Sequence, residues 1–128
     1  MNQSRFIVLT VSAILTMLLS SAAFSEIRIG SGYTADRSSV DVFTDKFPRL
    51  KYPRKAQRLK VEGYALIGFD VKADGSKTDI RVLEAEPRRI FDKAALQFVE
   101  ALELKPPVKD GEPVDLNDVQ FKVNFKFN

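Results

Sequence analysis

The chain has 128 residues, 45% of them hydrophobic, which is enough for one modest core and one domain. Its formal net charge is +3, and setting aside Arg5 in the N-terminal segment leaves +2 for residues 26–128, too little basic excess to favour nucleic acid by bulk charge. Zero cysteines exclude disulfides, thiolate metal sites and thiol nucleophiles; zero histidines remove the commonest general base and the commonest transition-metal ligand.

Residues 1–25 have the order of an export signal: Arg5 in a short polar start, an apolar stretch from Phe6 to Leu19, then small residues through Ser25. Ala23-Phe24-Ser25 puts small residues where a signal peptidase reads, so cleavage before Glu26 is expected. The competing reading is an uncleaved inner-membrane anchor, since 19 uncharged residues run from Phe6 to Phe24, close to the roughly 20 that span a bilayer. Either reading puts residues 26–128 outside the cytoplasm.

Residues 26–47 mix Gly30, Ser31, Gly32, Ser38 and Ser39 with scattered apolar side chains and read as a flexible arm or linker. The domain proper is expected over residues 48–128. Pro53 suits the first turn of a short helix over about 54–61, and Gly63 suits a left-handed cap after it. Ala65, Ile67, Phe69 and Val71 then alternate with Leu66, Gly68 and Asp70, which predicts a strand over 64–73. Asp74-Gly75 supplies positive φ angles for a tight hairpin into a return strand carrying Thr78, Ile80 and Val82. Phe91, Ala94, Ala95, Phe98, Val99 and Leu102 recur at helical spacing until Pro106-Pro107 ends the pattern. Finally Val119, Phe121, Val123, Phe125 and Phe127 alternate with Gln120, Lys122, Asn124 and Lys126, the clearest strand in the sequence. Together these elements predict an α+β domain, a three-stranded antiparallel sheet with helices packed mainly on one face.

The residue pattern offers no catalytic constellation. Glu84 and Glu86 share a strand face as exposed acids commonly do, and Asp70-x-x-x-Asp74-Gly75 fails as a calcium loop because Lys72 and Arg81 occupy ligand positions. A non-enzymatic protein is expected, with no cofactor and no metal.

The succession Tyr52-Pro53-x-x-Ala56, Glu62-Gly63, Phe69-x-Val71-x-x-Asp74-Gly75, Phe91-Asp92-x-Ala94-Ala95, Pro106 and a final strand ending in Phe127 resembles the C-terminal domain of TonB. The resemblance implies a periplasmic module supporting TonB-dependent transport. In that family the last strand receives a short N-terminal segment, the box, of an outer-membrane receptor by strand addition. The matching positions are Val119, Gln120, Phe121, Lys122, Val123, Asn124, Phe125, Lys126 and Phe127, and a second candidate contact is the segment entering the domain, of which Tyr52 and Pro53 match the family. The family's glutamine-rich lead-in is replaced by Arg49, Leu50 and Lys51, and six basic residues fall between 49 and 60. Coupling to the ExbB-ExbD motor is not implied, because the family's motor helix carries a histidine and this chain has none. The alternative is a soluble cell-envelope adaptor similar to the C-terminal domain of TolA, contacting other envelope proteins without a transport role.

Overall fold

The computed structural model describes residues 26–128, so the export-signal or anchor reading lies outside the described residues. Among those residues, no helix is long and apolar enough to cross a membrane. In chain order the elements are β1 (Ile27–Tyr33), β2 (Ser39–Thr44), α1 (Arg54–Arg58), β3 (Gly63–Val71), β4 (Lys77–Glu86), α2 (Asp92–Ala101), β5 (Val108–Lys109), β6 (Glu112–Pro113) and β7 (Leu116–Phe125).

The α+β class holds, but the sheet has five strands rather than three, in the order β2-β1-β7-β3-β4. The two additional strands come from the segment expected to be an arm. Ile27 and Ile29 alternate with Arg28, and Val40, Val42 and Thr44 with Asp41 and Phe43, so each run is a short amphipathic strand, and the two pair antiparallel from Ile27↔Thr44 to Tyr33↔Ser39. Gly30 and Gly32 are there for proximity rather than flexibility. A Cβ on Gly32 would lie 2.6 Å from Val119 Cγ2 and 3.0 Å from Leu116 Cβ, and one on Gly30 would lie 2.9 Å from the Gln120 carbonyl oxygen.

The hairpin is tied to the rest of the domain at both ends. Val42 (1% exposed) enters the core, and the buried Thr44 hydroxyl donates to the Glu103 carbonyl. The Lys105 N–H donates to the Phe43 carbonyl at 2.9 Å, while its ammonium pairs with Glu26 at 2.7 Å and Asp45 at 3.0 Å. At the far end Lys109 meets Asp36 at 3.1 Å in the β1–β2 turn.

The core lies between the sheet and α2. Ala65, Ile67, Phe69 and Val71 of β3 point into it, as the alternation predicts, and meet Val119, Val123 and Phe125 of β7 together with Ala94, Ala95, Val99 and Leu102 on the α2 side. β3 pairs with β4 on one side and with β7 on the other, from Gly63↔Phe125 to Val71↔Leu116. Lys77, at the start of β4, donates its ammonium to the Leu102 carbonyl and so places a cation against the C-terminus of α2. Desolvation lowers the pKa of this lysine, with Glu103 and Glu100 opposing the shift.

Local geometry corrects three sequence expectations. α1 is shorter than expected, ending at Arg58 with Leu59 as its C-cap, and Pro53 sits at the N-cap rather than inside the first turn. The left-handed residue beyond it is Lys60, at φ 55°, not Gly63, which already belongs to β3. In the β3–β4 turn only Gly75 takes positive φ (89°), and Asp74 instead accepts hydrogen bonds from the N–H and hydroxyl of Ser76. The two-residue turn with both φ positive is Asp110-Gly111 (52° and 81°), joining β5 to β6, a signal of the same dipeptide type that the sequence reading passed over.

Asp36 is held well below the usual carboxylate range, chiefly by the Thr34 hydroxyl and then by Lys109 and Ser38. Because its folded pKa is depressed, its contribution is complete above the unfolded value and is lost only as pH falls toward the folded one. A carboxyl-detected NMR titration is expected to show Asp36 still ionised at about pH 3, below an ordinary aspartate's midpoint of about 3.9. An ordinary midpoint would mean that the Thr34, Lys109 and Ser38 contacts to Asp36 are not formed at the hairpin tip.

Candidate functional site

The residues singled out in the sequence divide between two faces and one end of the sheet. Val119, Val123 and Phe125 face the core, whereas Gln120, Lys122 and Asn124 are exposed on the opposite face. Lys122 lies 4.0 Å above the Tyr64 ring, whose hydroxyl donates to Glu84 at 2.7 Å, so this lysine has a cation–π partner on the neighbouring strand. The Glu84 contact is the main cause raising the pKa of Tyr64.

At the C-terminal end of β7 the structure brings Tyr52 together with Phe125 and Phe127. The Tyr52 ring packs at 4.7 Å from Phe127 and meets Phe125 and Phe91 edge-on at 5.6 and 5.7 Å, while Phe91 and Phe125 stack at 4.3 Å. The Tyr52 hydroxyl donates to the Val61 carbonyl. Burial is the first cause that raises its pKa, with nearby Glu62 adding to it. Pro53 follows in extended geometry and leads the chain into α1. Lys126 and Phe127 lie just past the strand, where the Phe127 N–H donates to the Glu62 carboxylate at 2.9 Å.

The Glu62-Gly63 pair therefore has a physical explanation. Glu62 fastens the residue after β7, and Gly63 admits two neighbours that no side chain would tolerate: an added Cβ would lie 2.0 Å from the Glu86 carbonyl oxygen and 2.8 Å from the Phe91 ring. Glu62 escaped the sequence reading as a contact residue. Phe47 escaped it too, although its ring packs against Phe98 (6.1 Å) and Phe121 (5.9 Å) while staying 45% exposed. An aromatic at the end of a segment without a sustained period gives no periodic signal.

β7 is not an outer strand. One side is paired with β3 along nearly its whole length, and the other meets β1 at a single ladder pair, Tyr33↔Asn117. Beyond the close approach of Gly30 to Gln120, the stretch Phe121–Phe125 has no ladder partner on that side among the described residues. Phe47 and Phe121 flank it on the core face, and Tyr52 and Phe127 stand at its end. Such a stretch offers main-chain donors and acceptors that an extended chain can satisfy.

The family described as "Gram-negative bacterial TonB protein C-terminal" matches residues 48–127. The chain belongs to this family. It is 38% identical to the TonB protein of Pseudomonas aeruginosa over 63 residues, which is 49% of this chain and 18% of that protein. To the Escherichia coli TonB protein it is 31% identical over 74 residues, 58% of this chain and 30% of the other. A solved structure of the TonB2 protein from Vibrio anguillarum superposes with a TM-score of 0.51 at 29% identity, covering 62% of this chain and 76% of that one. The chain thus matches less than a third of the length of these two TonB proteins, and the family match starts after the β1–β2 hairpin.

The six basic residues of the lead-in and α1, Arg49, Lys51, Arg54, Lys55, Arg58 and Lys60, are all exposed, and none takes part in an ion pair among the described residues. Arg49 and Lys51 line a groove of about 440 Å³ against Gln97, Phe98 and Glu100 of α2. Among the described residues no cluster of acidic side chains has the geometry to hold a metal ion.

Two substitutions test this construction by chemical denaturation. Phe125→Ala removes a ring with no solvent exposure and is expected to cost about 3–5 kcal/mol of stability. Gly63→Ala, which adds a single methyl group, is expected to cost at least about 1–3 kcal/mol through overpacking against Glu86 and Phe91. A neutral Gly63→Ala would mean that β3 and the Glu86-Pro87 turn are not in this contact.

Proposed function

We propose that this protein is a non-enzymatic periplasmic module that supports TonB-dependent transport by docking the box segments of outer-membrane receptors through strand addition along β7. The observation that carries this reading is the side of Phe121–Phe125 left without a ladder partner, set beside Tyr52 and Phe127. Main-chain hydrogen bonds supply affinity that is insensitive to the partner's sequence, and the flanking aromatic side chains supply selectivity. Membership of the TonB family supports the transport role, and the leader-like residues 1–25 support export. The docking residues expected from the sequence narrow accordingly: Tyr52 and Phe121–Phe127 border the open side, whereas Val119 and Gln120 lie where β1 approaches most closely.

The test is an NMR titration of isotope-labelled residues 26–128 with a panel of receptor box peptides. Shifts concentrated at Phe121–Phe127 and Tyr52 are expected. No shifts at about 1 mM peptide, a concentration that detects even binding worth only about 4 kcal/mol, would overturn the docking reading. A deletion strain with normal uptake of iron chelates but heightened detergent sensitivity would then favour the envelope-adaptor role.

A further inference from the structure

We infer that the β1–β2 hairpin is a stop, fixing how long a strand β7 accepts and in which register. The inference rests on the docking reading above and deepens it. It begins from the position of the hairpin, which lies outside the family match over residues 48–127 yet is seated directly against the strand assigned to docking.

Three observations make the hairpin a fixed obstacle. Its approach to β7 is close enough to require Gly30 and Gly32, whose absent side chains would strike Gln120, Val119 and Leu116. Its second strand is held by a main-chain hydrogen bond from Lys105 to Phe43 and by the buried Thr44. Ion pairs clamp it at both ends, Lys105 with Glu26 and Asp45, and Lys109 with Asp36. An incoming strand therefore finds Leu116–Gln120 covered and only Phe121–Phe125, five of the ten residues of β7, open.

The partner that fits is a short extended peptide of about five residues, the number of open positions on β7. Its side chains on the core face would meet Phe47 and Phe121, which suits apolar residues. Those on the other face would stand beside Lys122 and Asn124, which suits polar or acidic ones. Residues N- or C-terminal to this core that run toward Gln120 would meet β1 instead of β7.

The test uses one receptor box peptide at two lengths, ten residues and its five-residue core, against three proteins: residues 26–128, the wedge variant Gly32→Val, and the locked double variant Tyr33→Cys/Asn117→Cys. The chain has no native cysteine, so the lock joins only the two ladder partners of β1 and β7. Under the stop, wild type and locked protein bind both lengths equally, and the amides of Asn117 and Val119 stay unshifted. The Gly32→Val protein, with the hairpin levered off, binds the long peptide about tenfold more tightly than the short one, the effect of one or two additional main-chain hydrogen bonds.

If the long peptide instead binds wild type more tightly and the lock abolishes that advantage, the hairpin yields and the stop is overturned. Binding to Gly32→Val alone would also overturn it, showing that the whole strand is covered, while leaving strand addition itself standing. Failure of either peptide to bind any of the three proteins removes the docking reading and the stop with it. Should Gly32→Val fail to fold, the comparison of wild type with the locked protein decides the question.

Discussion

The contact between Phe91 and Phe125 governs the rest of the molecule. Phe91 caps the start of α2 and Phe125 ends β7, and their stacked rings join helix to sheet at the point where the chain's last strand stops. Tyr52 closes over both, which fixes the segment entering α1, and Phe127 packs on Tyr52 in turn. Four aromatic side chains from three separate stretches of sequence thus share one site. Gly63 belongs to it as well, because the Phe91 ring takes the space its side chain would occupy.

A domain organised in this way is held fixed at the end of β7, where docking is proposed. Tyr52 is held by its hydroxyl, by two edge-on rings and by Phe127, so under the proposed docking a partner strand beside Phe121–Phe125 would meet a surface already in place. Little ordering of side chains is then needed on association, and the free energy of new main-chain hydrogen bonds is retained as affinity. Aromatic rings suit this role because they present large area with few rotatable bonds.

From Tyr52 onward, the short β5–β6 hairpin excepted, the domain was legible in the sequence because its periods are long and uninterrupted. The alternation over Ala65–Val71 and over Val119–Phe125 and the helical spacing from Phe91 to Leu102 each survive intact in the core. The β1–β2 hairpin was not legible because Gly30, Ser31 and Gly32 interrupt the alternation within seven residues. Composition cannot tell a glycine that loosens a chain from one that lets two strands touch, and here the second applies. For the same reason the sheet is one hairpin larger than the three strands that the pattern predicts, and β7 lies inside it. Among the candidate contacts, Tyr52 and the end of β7 carried a family pattern, whereas Phe47 and Glu62 act through partners remote in sequence, Phe98 and Phe121 for one and Phe127 for the other.

The strand order also dictates when the domain becomes a folded object. β7 is the last strand made and the one that connects the two halves of the sheet, pairing with β3 and meeting β1 some eighty residues earlier in the chain. The β3–β4 hairpin is local in sequence, but the core facing α2 lacks Val119, Val123 and Phe125 until β7 arrives. Closing such long loops delays folding. A growing chain therefore stays threadable through a narrow channel until β7 itself has been added.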